Sequence, residues 1–512
     1  MEYLRYLLKG LNTDVPPAEL PPDTWTGCTN MINRNGFMRR SNGNLQVGTY
    51  NDTATVLAFF YFKLNGANYY FSLTTAGQFY ISGGGSSTPI TSPWTVLKAY
   101  IAEDVSGGVI NNCVAFNYQD QPPLYWEPTV ALGVAKAWPV GQWPATSRAG
   151  VMRTWRNHIF VANVTQAGVN YPNMLAWSSA ATLQAGIPTE WIATSTNDAR
   201  SIFLGESAGP ILDMIPLRDQ LFVFFEGEFH SLSYIGGSFV FSARKVTDSF
   251  GINGKNCAVD CGGFLVCLCN EDVMWTDGQS FRSIATQRVR DAIVAMTTIT
   301  SRRYCFVFFN QATKDVYVCL ARANDTTCHV AWVWNVDTEL WSFVELVDPG
   351  ASGASGAIGL ICANYVPLLG STPTGQLTTN SADMMGSETR ALTGNCSFIQ
   401  VQGNSAWLAG ASVVGTLRRF GLDLGNPDAV KTVTRVDLNV TGPPNASVDI
   451  SVTARMQETD PVSAPVWSSP QSGTYQFPVL VTGRFFDIEI RSSNVGWGCQ
   501  GMSIVTGAGS VY

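Results

Sequence analysis

From about residue 50 to residue 400 the chain repeats one unit: an apolar run, a turn carrying Gly or Asn, and a second apolar run. The clearest copy is 56–62 (VLAFFYF), Asn65-Gly66, 69–73, Ala76-Gly77 and 79–81. Asn-Gly between apolar runs specifies a two-residue hairpin, because both residues tolerate positive φ. Further copies pair 109–116 with 124–126, 159–161 with 174–177, 221–225 with 229–235, and 264–269 with 273–275 before Asp277-Gly278. The last reads 304–309, 316–320, 330–334 and 341–343. A recurrence of roughly 40–60 residues suits one four-stranded antiparallel sheet per repeat. The expectation is an all-β chain with a β-propeller of six or seven blades over residues 51–430. An open array of sandwiches gives a similar pattern; closure is favoured because it leaves only short edges.

The flanks differ. Residues 1–50 read as an extended N-terminal arm and a hairpin, with Pro16-Pro17 and Pro21-Pro22 holding the arm straight and Asn35-Gly36 making the turn. Gly-, Ala- and Ser-rich stretches within 344–430 suggest loops around a last blade. Beyond Pro427 apolar residues alternate at Val436, Leu438 and Val440, at Val448, Ile450 and Val452, and at Phe486, Ile488 and Ile490. That period predicts a C-terminal β-sandwich over 431–512.

Composition narrows the function classes. Hydrophobic residues make up 46% and charged ones 13%, which excludes a disordered chain. A net charge of −7 with 31 Lys and Arg argues against tight nucleic-acid binding and permits a passage along which DNA slides. The N-terminus carries Glu2 and no long apolar run, so neither a secretory leader nor a membrane span is expected, and assembly in a cytoplasm follows. Cys257, Cys261, Cys267 and Cys269 cluster without the paired knuckles of a zinc site. Cys267 and Cys269 share one face of a strand, as buried thiols do.

No catalytic constellation emerges, and no metal or cofactor is expected. His158, His230 and His329 have no second His at metal spacing, and no G-x-S-x-G elbow supports a triad. Glu226 with Glu228, and Glu271 with Asp272, are acid pairs of the kind glycosidases need. Both sit at hairpin tips, where solvated charge is ordinary. Residues 275–281 resemble the Asp-box of sialidases, which is structural there, but Gly278 directly follows Asp277. Three Arg pairs stand out: Arg39-Arg40, Arg302-Arg303 and Arg418-Arg419. They read as solvated strand ends or as contacts to a neighbouring subunit or adaptor. Gly83-Gly84-Gly85 and 350–356 read as linkers or as loops able to gate a channel.

The two ends of the chain carry a resemblance. Gly10-Leu11-Asn12, Leu20-Pro21-Pro22, Asn30 and Gly36-Phe37-Met38-Arg39-Arg40 resemble the opening of short-tailed bacteriophage tail nozzle proteins (tail tubular protein B-like) and the related phage stabilisation proteins. Gly483-Arg484-Phe485-Phe486-Asp487-Ile488-Glu489-Ile490-Arg491 with Trp497 and Gly501 is similar to the closing strands of that family, and the turn from Trp334-Asn335 to Trp341-Ser342 is similar too. The resemblance implies a structural, non-enzymatic virion protein of the tail. It would form a homohexameric nozzle that extends the portal–adaptor DNA channel, retains the genome and opens for ejection. Its partners would be itself, the tail adaptor ring, tail fibres or a tip protein, and DNA passing without sequence-specific binding. The rival readings are a carbohydrate-binding or glycan-cleaving propeller, prompted by 15 Trp and 17 Tyr, and a receptor-binding tail tip.

Overall fold

The computed structural model describes residues 2–507 apart from 50–55, 129–133, 182–185, 347–359, 367–381, 388–396, 405–411, 470–473 and shorter gaps between strands. Seven four-stranded antiparallel sheets follow one another along the middle of the chain. Their first strands are Val56–Leu64, Val105–Ile110, Arg148–Trp155, Asp213–Leu217, Ala258–Asp260, Phe306–Asn310 and Leu360–Val366. Each first strand lies beside the next, and the seventh returns to the first, so the sheets close into a β-propeller.

A sheet stacked between two others buries both faces, and its strands become continuous apolar runs. The sixth sheet shows this: Phe306–Asn310, Asp315–Leu320 and Val330–Asn335 are buried at every position. Trp341 in its outermost strand is also buried and donates Nε1–H to Ile284 O of the preceding connection at 2.8 Å, so a large apolar side chain is buried with its polar atom satisfied. One expected strand is in fact a hairpin. The run 109–116 is split by Asn111 and Asn112, at φ 48° and 64°, into Val105–Ile110 and Cys113–Tyr118. Paired Asn in the left-handed region make the same tight turn that Asn-Gly makes.

The seventh sheet is completed from the far end of the sequence. Gly43–Thr49 pairs antiparallel with Ser397–Asn404 as the outermost strand. The remaining strands form a two-sheet unit. One sheet orders Met31–Arg34, Phe37–Arg40, Gly498–Thr506, Lys431–Thr441 and Gln476–Gly483, with Glu2–Leu7 also paired to Gly498–Thr506. The other orders Gly27–Thr29, Gly415–Leu422, Phe485–Ser492 and Asp449–Arg455. Met38, Leu417, Val436, Phe486, Ile488 and Ile504 belong to one buried core between them.

Two boundaries are corrected. The N-terminal residues are not an extended arm: Glu2–Leu7 pairs with Gly498–Thr506, Gly27–Thr29 with Gly415–Leu422, and the expected hairpin of Met31–Arg34 and Phe37–Arg40 joins Gly498–Thr506 through its second strand, because unpaired backbone beside an apolar sheet is costly. The unit also starts with Gly415–Leu422, earlier than residue 431, so the propeller is inserted between its two halves.

The unit docks on the outermost strand of the sixth sheet, Trp341–Glu345. Phe343 N–H donates to Cys28 Sγ at 3.2 Å and Glu345 N–H to Asn30 Oδ1 at 2.9 Å, so side chains cap an edge that pairs with no further strand among the described residues. Arg34 Nη1 donates to Asp315 Oδ1 at 2.9 Å; Asn335 and Thr313 also donate to that carboxylate, which is fully buried. Arg34→Met removes the partner of a buried charge, a change that costs about 3 kcal/mol in comparable settings. Urea unfolding is expected to show that loss, and Arg34→Met with Asp315→Asn to recover part of it. Equal stability of Arg34→Met and the parent chain sinks the assignment.

Candidate functional site

The first strands of the propeller surround a cavity of ≈ 490 Å³, lined by Phe60, Ser106, Arg153, Asp213, Asp260 and Phe306 among others. The strands approach closely because two glycines stand in the second one. A Cβ on Gly107 would meet Ala115 O at 2.4 Å and the Phe60 ring at 2.9 Å, and one on Gly108 would meet Thr154 Oγ1 at 2.4 Å.

Of the charged groups that line this cavity among the described residues, Arg153 and Asp213 pair with each other, while Asp260 is exposed and accepts from Gly262 and Gly263 N–H. Arg153 Nη2 donates to Asp213 Oδ2 and to Asn256 Oδ1, both at 2.9 Å. Asp213 accepts further bonds from Met214 N–H and Asn256 N–H, each at 2.8 Å. These groups belong to three successive sheets, so the network staples neighbours rather than awaiting a ligand. Beside it Lys255 is buried and donates Nζ–H to Glu103 O at 2.5 Å, Gly150 O at 2.9 Å and Val105 O at 3.3 Å. Burial pulls its ammonium down to about 8, helped by the Arg153 charge nearby.

The sequence-selected residues do not converge. His158 is buried with Nδ1 2.9 Å from Ser178 O, and burial lowers its pKa. His230 lies 2.9 Å from Glu228, which Lys245 also holds; burial opposes ionisation of Glu228, yet these two partners keep it below the ordinary carboxylate range. Glu226, its expected companion, is exposed at the turn. His329 faces Asp325 at 3.7 Å and Thr327 at 3.3 Å. Asp272 accepts from Ser283 Oγ at 2.8 Å and Thr286 Oγ1 at 3.2 Å, and Glu271 offers its carbonyl to Arg290. The ten described cysteines are free and buried.

The paired arginines serve the chain's own fold. Arg40 and Arg419 are buried; Arg40 donates to Val413 O, and Arg419 donates to Pro17 O and Leu20 O, tying down the proline-rich stretch. Arg418 reaches Glu489, Arg302 holds Asn270, and Arg303 pairs with Glu103 at 3.1 Å. Arg39 is exposed, on the strand beside Gly498. Gly83 ends a strand of the first sheet, while Gly84, Gly85 and 350–356 lie outside the described residues. Arg34, Arg153, Asp213, Lys255 and Asp315 were not singled out from the sequence. Their signal is a charge embedded in an apolar strand, as in MRTW around Arg153 and ILDM around Asp213.

No family model matches the chain, and no curated protein does. Among solved structures it is similar to Sqt1 of Saccharomyces cerevisiae, at 8% identity over 70% of this chain and 99% of that one, with a TM-score of 0.41. It is also similar to the computationally designed Ika8 protein (10% identity, 78% and 98%, TM-score 0.39) and to the Pan2 WD40 domain of Neurospora crassa (10%, 70% and 97%, 0.39). Likeness at this level carries no function, and the propeller rests on the strand pairing itself. No helix among the described residues is long and apolar enough to cross a membrane.

Two outcomes follow for stability. Unfolded Lys255 keeps its proton to pH 10.5 and the folded residue releases it at about 8. Between these values the unfolded chain binds more protons, so the residue's contribution rises with pH; below 8 its full cost is present. The stability of the parent chain relative to Lys255→Met is expected to climb by about 3 kcal/mol from pH 8 to 10.5, at about 1.4 kcal/mol per unit; a flat difference contradicts the burial. Asp277 accepts from Gln279 N–H, Ser280 N–H and Ser280 Oγ within 3.0 Å, which makes the Asp-box-like tip a structural turn. Asp277→Ala is therefore expected to lower the thermal midpoint, with a cost of about 1 kcal/mol.

Proposed function

We propose that this chain is a structural subunit of a short bacteriophage tail, the nozzle that continues the DNA channel, and that it carries out no catalysis. One observation carries the reading. The segments that resemble the nozzle family, 10–40 and 483–501, stand at opposite ends of the sequence and fold into the same unit. Gly498 pairs with Arg39 and Cys499 with Met38, while Arg40 N–H donates to Trp497 O at 3.0 Å. Motifs that are short and separate in sequence thus have one shared structural purpose.

The cavity supports a non-enzymatic reading, since Arg153, Asp213, Asn256 and Lys255 bond to one another or to backbone. A space of ≈ 490 Å³ suits at most a small molecule, so a DNA passage would have to run between copies of the chain and not through one propeller. The homohexamer, the adaptor ring as partner and the location in the virion tail belong to this proposal. Electron microscopy of the purified protein, alone and mixed with a tail adaptor ring, tests it. The expected result is a six-fold ring with an open or plugged bore. A monomer that ignores the adaptor and binds or trims glycans overturns it in favour of a carbohydrate-active propeller.

A further inference from the structure

We propose that the strand Gln476–Gly483 is a docking edge for a second copy of this chain, which adds its own strand Glu2–Leu7 there and continues the six-stranded sheet from subunit to subunit. The inference starts from the strand order and not from the tail reading, which adds only that the series of contacts closes at six.

The ends of the two sheets in the unit are treated differently. Gly27–Thr29 and Met31–Arg34 lie against the outermost strand of the sixth propeller sheet. Asp449–Arg455 is shielded by its own following segment, where Ser468 bridges Ile450 and Val466 N–H donates to Ser451 Oγ at 3.0 Å. Gln476–Gly483 and Glu2–Leu7 pair with no strand on their outer sides among the described residues, although the Gly483 end of the first packs against Ala454 and Arg455. An open edge presents unpaired N–H and C=O groups, and natural proteins guard such edges with Lys, Arg, bulges or cover. Outer propeller strands such as Arg200–Phe203, Phe241–Thr247 and Phe281–Ser283 do carry Arg or Lys. Gln476–Gly483 (QFPVLVTG) carries no charge at all, and its Leu480 is 81% exposed. Pro478 removes one donor, and Gly483 is buried against Ala454 and Arg455, which leaves 479–482 for pairing. An apolar, uncharged edge of this kind is stable in solution when something covers it.

Direction selects the occupant. Gln476–Gly483 runs antiparallel to Lys431–Thr441, that strand antiparallel to Gly498–Thr506, and that one antiparallel to Glu2–Leu7. The two free edges therefore run in opposite directions. When a second copy is set beside the first in the same orientation, its Glu2–Leu7 arrives antiparallel to Gln476–Gly483, the stronger pairing geometry. Tyr3 and Leu7 are 59% and 43% exposed and supply the apolar counterpart of Leu480. Because the two surfaces differ, the contact is head-to-tail and repeats into a ring or a filament.

Tyr3→Cys and Leu480→Cys variants, prepared separately and mixed under mild oxidation, test the pairing; the ten described native cysteines are buried and do not compete. The expected result is a covalent dimer in the mixture and none in either variant alone. Light scattering is expected to show the parent chain self-associating, with Leu480→Lys weakening association by about tenfold or more. The exposed position keeps the thermal midpoint of that variant unchanged, which separates lost docking from lost folding. A parent chain that stays monomeric at its solubility limit overturns the inference, as does cross-linking of Leu480→Cys to itself. A six-fold ring that survives Leu480→Lys sinks this edge and leaves the tail reading standing. Copies linked through it that ignore the adaptor do the reverse.

Discussion

The pairing of Gly43–Thr49 with Ser397–Asn404 is the constraint on which the remaining structure depends. A ring of sheets has no edge in its circumference only if the last sheet is completed, and here the completing strand comes from before the first. The pairing joins segments far apart in sequence, so it carries a loop-closure cost, which grows only slowly with length. Once made, it brings residues 41 and 413 close together. Arg40 then reaches Val413 O, and strands from both ends of the chain can share sheets. The two-sheet unit is completed by closure: each half pairs within itself, and Glu2–Leu7, Gly27–Thr29 and Phe37–Arg40 then add to the strands of the C-terminal half.

Charge inside the molecule serves the same end. Arg153–Asp213–Asn256 and Lys255 link adjacent first strands, while Arg34–Asp315 links the unit to the sixth sheet. Each charge is expensive to bury and is matched by several hydrogen bonds, so the groups fix the relative position of sheets that apolar packing alone would leave free to slide. Asp14 adds a further tie: its carboxylate accepts from Arg290 N–H at 2.9 Å and Asp291 N–H at 3.2 Å at the start of the short helix Arg290–Met296. Burial raises the pKa of Asp14, so this contact weakens at a higher pH than an exposed aspartate would.

Much of the fold is legible in the sequence because the hairpin is a local object. Turn dipeptides between apolar runs locate strands wherever the turn chemistry is explicit, as at Asp277-Gly278 in the fifth sheet. Asn111-Asn112 escaped because the flanking runs join into one apolar stretch, and only the tolerance of Asn for positive φ betrays the turn. The placement of residues 2–40 was not legible, since pairing with 415–506 leaves no local trace; prolines that suggest an extended arm are equally at home in loops pinned by Arg419. The site was less legible still. Arg418-Arg419 drew attention as a surface pair, yet a residue 1% exposed is an internal fastener. Burial of a charge is decided by tertiary neighbours, and composition says nothing about them.

Rigidity has a consequence for any assembly of this chain. Moving the two-sheet unit against the propeller would strip Asp315 of Arg34 and release the Asn30 and Cys28 caps together, leaving a buried carboxylate and a bare strand edge. The cost of such a step exceeds what a loop contact at the surface supplies. A bending hinge inside the subunit is therefore the wrong place to look for a moving part. Packed interfaces switch by rotation of whole bodies against one another, and an edge-to-edge strand contact is suited to it: a few backbone hydrogen bonds can break and re-form in a shifted register while each core stays intact. In a channel-forming assembly, the width of the passage would then be set by how copies meet at their edges, and the interior of each copy would serve to keep those edges in fixed relation.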